Sequence, residues 1–410
     1  MASISAITPA GFDVIDIVGW DEARGCVYFV ASPDDPLRRY LFAATVDGSS
    51  VERVTPRTVQ LEGTNSYTLS KDCCFAVHTF SSCNQPSVTS IVELPSHKVT
   101  LSLAQNAKLE QMFRSVDLSP VEFLKVPIEI PGDLGTGTGT RAGSGSEGRE
   151  GVGKGVLLDA WCLRPPGFDP SLKYPVIFHV YGEPAAQIVR DQWGGRLALW
   201  HRMLAQRGCV VVCMDNRGTP CPRGRIWRKC VYGQVGTLGS ADQAAGVRAI
   251  LEAHPYLDTS RVGVWGWSGG GSMSLNALFR YPELYQNAVV VAPVPDMRLY
   301  DTIYQERYMG LPAENPEGYR LGSPVTFAPQ MSPDANLLLV HGTGDDNCHY
   351  QGMEVLINEL VRQNKPFQMM AYPNRSHSIS EGANTTLHLF ETITRFLTQC
   401  GLIQHAVGKK

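Results

Sequence analysis

Residues 261–274 read R-V-G-V-W-G-W-S-G-G-G-S-M-S, and this stretch constrains the fold more than any other. Residues 262–265 form a short apolar run of strand type. The chain then turns through Gly266-Trp267-Ser268-Gly269-Gly270 into helix-forming residues at 273–280. With 40 glycines in the chain, G-x-S-x-G alone recurs by chance. Its meaning comes from the strand before it and the helix after it. In that setting the serine sits in a strained turn, and side chains beside it would collide with the neighbouring strand and helix. The turn lifts the Ser268 hydroxyl clear of the sheet and leaves the backbone N–H of Gly269 facing any oxyanion formed there.

The length of 410 residues suits two domains or one large one. At 43% hydrophobic and 18% charged, the composition is that of a globular chain with ample core material. A net charge of −3 excludes a nucleic-acid footprint and strong attraction to anionic membranes. No apolar run approaches the roughly 20 residues of a membrane span. The first residues lack both a basic segment and a long apolar core, so no secretory signal is read there. A chain complete as written is expected in the cytoplasm. The 11 cysteines are scattered without C-x-x-C spacing and are expected to be reduced and mostly buried, with no metal and no cofactor.

Residues 1–125 read as short strands with turn punctuation: 26–31, 39–46, 66–69, 74–78 and 87–92. Units repeating at about 45 residues suggest propeller blades of four strands, and about two fit. Two apparent strands, 126–130 and 156–163, form a connecting hairpin across 126–163. Between them lies a Gly/Ser/Thr-rich insertion, 132–155, expected to be a flexible loop. From residue 174 strands and helices alternate, the signature of a mostly parallel sheet covered on both faces. The strands are expected at 176–181, 209–214, 262–265, 288–292, 337–340 and 367–372. Helices are expected at 197–206, 241–253 and 386–400, and 403–410 is a tail.

Activating a serine needs a histidine as general base and a carboxylate to orient it. The strand 337–340 runs into His341-Gly342-Thr343-Gly344-Asp345-Asp346-Asn347, and the strand 367–372 into Pro373-Asn374-Arg375-Ser376-His377. Both loops follow the C-terminal end of a strand, where open α/β sheets place their sites. His377 is the candidate base. Spacing alone does not separate Asp345 from Asp346. His341, His349 and His388 are read as structural or exposed.

The elbow Gly266-Trp267-Ser268, the segment from Tyr304 through Arg307-Tyr308-Met309-Gly310 to Pro312, and the His341–Asn347 segment occur in order. Together they resemble the dipeptidyl peptidase IV branch of the prolyl oligopeptidase family of serine peptidases. The resemblance covers residues 156–402. It implies an α/β-hydrolase domain (residues 164–402, doubly wound, mostly parallel sheet) preceded by a partial β-propeller of about two blades, residues 1–125.

Carried over by position, the resemblance makes Ser268 the nucleophile, Asp345 the acid and His377 the base. It places Tyr181 and the Gly269 N–H in the oxyanion hole. Val294, Tyr300 and Tyr304 match the apolar pocket for proline, and Asn347 matches a residue that hydrogen-bonds a substrate carbonyl. The chain departs from the branch in three ways. Gly269 stands where tyrosine is usual, and Glu183 follows Tyr181-Gly182 where Gly or Pro-type residues are more common. The branch's amine-binding glutamate pair has no counterpart in residues 1–125, where the acidic pair Asp34-Asp35 reads as a hairpin turn. The implied function is peptide hydrolysis after proline or alanine, with release of N-terminal dipeptides and a homodimer as expectations. The alternatives are an esterase or open-site oligopeptidase, or a non-catalytic binding or dimerisation protein.

Overall fold

A computed structural model of the chain describes residues 5–9, 12–116, 118–129 and 155–405. It divides into two compact units. One contains residues 1–121, 189–206 and 220–228; the other contains 122–188, 207–219 and 229–410. Two stretches inside the expected 164–402 domain therefore cluster with the N-terminal strands.

The first unit holds two four-stranded sheets. Strands β1 (Val14–Asp21), β2 (Cys26–Ala31), β3 (Tyr40–Thr45) and β4 (Val51–Arg53) form the first, in sequential antiparallel order. Strands β5 (Thr64–Leu69), β6 (Phe75–Ser82), β7 (Gln85–Glu93) and β8 (Lys98–Ala104) repeat the pattern. These are the two blades expected from the turn spacing. Tyr28, Leu41, Tyr67 and Val92 share one buried cluster, so the two sheets share an apolar core. Inside it the Tyr67 hydroxyl is paired with Thr55 Oγ1 and His97 Nε2, each at 2.8 Å, which satisfies the phenol where water is excluded. Helix α1 (Ala107–Arg114) follows. Helix α2 (Gly195–Gln206) belongs to this unit because a buried guanidinium ties it there. Arg202 donates to the Cys83 carbonyl at 2.9 Å and to Asn84 Oδ1 at 3.0 Å.

The second unit is built on one eight-stranded sheet. Its strands are β9 (Glu122–Ile128), β10 (Val156–Leu163), β11 (Tyr174–His179), β12 (Val210–Asp215), β13 (Leu257–Trp267), β14 (Asn287–Val291), β15 (Asn336–Gly342) and β16 (Gln368–Tyr372). The spatial order is β16-β15-β14-β13-β11-β12-β10-β9. All pairs from β12 to β16 are parallel, while β9 and β10 add an antiparallel edge. The expected connecting hairpin is thus part of the main sheet. Its Gly/Ser-rich insertion falls outside the described residues, apart from Gly155.

Every residue of β12 and β14 is buried, as the apolar runs 210–214 and 288–291 require when both sheet faces are covered. The covering helices are α4 (Leu238–Ala253), α5 (Gly269–Arg280), α8 (Tyr350–Arg362) and α9 (Thr385–Gln399), with the short α6 (Thr302–Met309) and α7 (Pro316–Gly322) in the connections; the short α3 (Arg225–Lys229) clusters with the first unit apart from its last residue. Ile403, expected in a tail, is buried, and Gln404 N donates to the Arg207 carbonyl at 2.9 Å. No helix among the described residues is long and apolar enough to cross a membrane.

The chain runs from β11 outward to β12 and then returns to lay β13 on the other side of β11. At such a switch point the loops leaving adjacent strands diverge and open a crevice at the strands' C-terminal ends. The loop after β12 is fixed by a fork: Asp242 Oδ2 accepts from the Arg217 backbone N–H at 3.0 Å and from Nε at 2.9 Å, while Oδ1 accepts from Nη2 at 2.7 Å. The Asp242 side chain is 3% exposed and that of Arg217 13%. Asp242→Ala strands the guanidinium in this site and should cost about 3 kcal/mol. The expected result is a lower urea midpoint at unchanged slope; an unchanged midpoint would contradict this role.

Candidate active site

Ser268 leaves β13 with φ 60° and ψ −125° and serves as the N-cap position of α5. This left-handed backbone is costly for a residue with a Cβ, so its surroundings must hold it. The Ser268 N–H donates to the Val291 carbonyl at 2.9 Å, and its own carbonyl accepts from Ser272 N at 3.1 Å. The start of α5 also lies so close to β11 that a Cβ on Gly270 would fall on the Val180 carbonyl oxygen. Only glycine fits there.

Asp345 lies in the loop after β15 and is 6% exposed. Its Oδ1 accepts the N–H groups of Asn347 and Cys348, each at 2.9 Å. Its Oδ2 accepts from His377 Nδ1 at 2.8 Å and from His341 Nε2 at 3.1 Å. Burial alone would raise this carboxyl's pKa. The hydrogen bonds from His341 and His377 and the Asn347 N–H outweigh it and hold the group ionised far below the usual carboxylate range. Asp346, next in the chain, is exposed. The geometry therefore separates the adjacent pair that spacing left open.

The Trp267 indole N–H donates to the His377 carbonyl at 3.1 Å, tying the histidine loop to the residue before the serine. Among the described residues His377 and Ser268 make no hydrogen bond to each other. The recorded partner of Ser268 Oγ is Cys348 Sγ at 3.9 Å. Burial, and then the Asp345 carboxylate, push the Cys348 thiol up to about 12, so it stays protonated.

The remaining candidates fall in the same unit. Tyr181 follows β11, and burial together with the Glu183 carboxylate raises its phenol above the usual range. Val294 is locked to α5, its N–H donating to Ser272 Oγ at 2.9 Å. The Tyr300 hydroxyl donates to Asn347 Oδ1 at 2.8 Å. The rings of Tyr300, Tyr304 and Tyr308 meet edge-on in succession, at 5.5 and 5.0 Å between centroids. Asp301 caps α6 by accepting Tyr304 N at 2.8 Å, which fixes where this aromatic row begins.

Two residues do more than their sequence reading assigned. His341, read as structural or exposed, is fully buried and is the second imidazole on the Asp345 carboxylate. Its Nε2 also contacts the Cys348 carbonyl at 2.7 Å, so it ties the acid to its own loop. Glu183, noted only for its effect on loop shape, is 8% exposed and accepts a hydrogen bond from the Tyr304 hydroxyl at 2.8 Å. Its carboxyl lies against the residue after the serine: a Cβ on Gly269 would meet Glu183 Cδ at 2.7 Å. An acidic residue two places after a strand-end tyrosine was the available signal. The contact itself depends on packing between loops far apart in the chain.

The model of the prolyl oligopeptidase family matches residues 198–402, and that of the dipeptidyl peptidase IV N-terminal region matches residues 1–87. The chain belongs to the prolyl oligopeptidase family. It is 32% identical over 380 residues to mouse dipeptidyl peptidase 8, covering 90% of this chain and 39% of that protein. It is also 32% identical to a probable dipeptidyl-aminopeptidase B of Aspergillus clavatus, covering 91% of this chain and 38% of the relative. Among solved structures, Porphyromonas gingivalis dipeptidyl peptidase 4 superposes with a TM-score of 0.84 at 34% identity, over 96% of this chain and 50% of that one. The chain thus spans about two fifths of the length of these curated relatives. The two blades and the α/β-hydrolase unit are of the dipeptidyl peptidase IV type.

Burial pushes the Glu183 carboxyl from 4.5 up to about 7, against the lowering effect of the Tyr304 hydrogen bond. Above pH 4.5 the unfolded chain releases this proton, while the folded chain keeps it until about pH 7. The group therefore makes stability fall as pH rises across that window, with no further loss above it. Glu183→Gln keeps an acceptor for Tyr304 and removes the titration. The variant should gain about 3 kcal/mol over the parent between pH 4 and pH 8, measured by urea unfolding at both. Parallel pH responses would contradict the burial effect.

Proposed function

We propose that this chain is a serine peptidase that cleaves after proline or alanine through an acyl-enzyme, releasing N-terminal dipeptides. The observation that carries the reading is the 2.8 Å hydrogen bond from His377 Nδ1 to the buried, ionised Asp345, on a loop tied to the residue before Ser268. That bond fixes the imidazole tautomer with Nδ1 protonated and leaves Nε2 as the base. Hydrogen bonds between nucleophile and base are often unformed in the free protein and tighten when substrate binds, which accords with the Ser268–His377 geometry.

In the proposed reaction Ser268 Oγ attacks the substrate carbonyl carbon and its proton passes to His377 Nε2. Asp345 stabilises the imidazolium. The oxyanion takes hydrogen bonds from the Gly269 N–H and the Tyr181 hydroxyl, and the N-terminus of α5 adds a favourable dipole. His377 then protonates the leaving amine. Water, activated by the same imidazole, hydrolyses the ester and restores Ser268. Tyr300, Tyr304 and Val294 line the pocket for the residue before the scissile bond, and Asn347, held by Tyr300, faces a substrate carbonyl.

The direct test is turnover of a Gly-Pro amide. Ser268→Ala should reduce kcat by about 10⁴-fold or more, and Asp345→Asn by about 10⁴-fold through the wrong imidazole tautomer. Near-normal turnover in either variant would overturn the mechanism. Blocking the substrate's amine should abolish cleavage if dipeptides are released; equal rates on blocked and free substrates would make the chain an open-site oligopeptidase.

A further inference from the structure

The carboxyl of Glu183 is a feature of the pocket that the proposed reaction does not use. It meets the aromatic row at Tyr304, whose hydroxyl donates to its Oε2 at 2.8 Å. Among the described residues its Oε1 has no hydrogen-bond partner. The space it fills exists because the residue after the nucleophile is glycine: a Gly269 Cβ would lie 2.8 Å from Oε2 and 3.0 Å from Cγ. Gly269 and Glu183 are therefore a matched pair, and a side chain at 269 and this placement of the carboxyl exclude one another. Because the Gly269 N–H is a proposed oxyanion donor, the carboxyl is adjacent to the acyl carbon of a bound substrate.

We infer that Glu183 sets the specificity of this pocket, selecting peptides whose residue before the scissile bond is compact and carries a hydroxyl. This rests on the peptidase reading above. An apolar ring pressed against the carboxyl excludes water from Oε1 without giving it a partner, and an unsatisfied buried polar group is costly. A hydroxyl satisfies it in either protonation state. It donates to the carboxylate, and it accepts from the carboxylic acid. An ammonium suits only the ionised form. Sites that hydrogen-bond a substrate hydroxyl discriminate strongly against the analogue lacking it, because the site's own polar group is then left unpaired.

The experiment compares kcat/KM for two matched pairs of free-amine dipeptide amides, Ala-Pro against Ala-4-hydroxyproline and Ala-Ala against Ala-Ser. The parent chain should favour the hydroxylated member of each pair by about tenfold or more. Glu183→Leu should abolish or reverse that preference, and Glu183→Gln should retain part of it. Gly269→Ala gives an independent route, since its Cβ displaces the carboxyl without removing it and should also erase the preference. A parent ratio of one or below, or a ratio unchanged in both Glu183→Leu and Gly269→Ala, overturns the inference. Parent turnover no higher than that of Ser268→Ala overturns the peptidase reading, and the inference falls with it.

Discussion

The close approach of α5 to the end of β11 is the constraint from which the rest of the site follows. Because residue 270 has no side chain, the first turn of the helix packs onto the Val180 carbonyl. The chain must then reverse within two residues of β13. That reversal puts Ser268 at positive φ, where its cost is met by hydrogen bonds to β14 and to α5 itself. It also places the serine at the switch point of the sheet, beside the loop that carries Tyr181 and Glu183. The same packing that strains the Ser268 backbone thus brings together the groups that would act on a substrate.

The loop after β15 is arranged on a different principle. Asp345 is withdrawn from solvent, which by itself favours its neutral form, yet four donors converge on its two oxygens. Two come from its own loop and two from imidazoles, so the carboxylate is both ionised and fixed in direction. Glu183 presents the opposite case. It is as deeply buried but has one donor, and it titrates near neutrality. Two carboxylates in one unit are thus set to different protonation states by the number of donors each receives.

Much of this was legible in the sequence where a physical requirement forces a pattern. Strands buried on both faces must be continuously apolar, and β11, β12, β14 and β15 announce themselves that way. The elbow is legible because glycine is the only residue that fits its contacts. The edge strands were not read: β8 alternates Val99, Leu101 and Leu103 with polar residues yet is exposed along its whole length, and β1, mostly exposed, runs Val14-Ile15-Asp16-Ile17-Val18 without alternation. Asp345 and Asp346 differ only in the turn that buries one and exposes the other, which adjacent residues cannot reveal. Glu183 was visible as an odd residue, but its contact with Gly269 is made by the fold. The cap residues Asp301 and Asn315, each accepting a helix N–H, were signals for α6 and α7 that the apolar pattern did not supply.

The central claim is that Ser268 is an activated nucleophile. Its most direct test is covalent labelling of the purified, folded chain with a fluorophosphonate, followed by mass spectrometry of the modified peptide. The account predicts one adduct, on Ser268, with none formed when His377 is replaced by Ala. A folded chain that takes no label, or carries it at another residue, would contradict it.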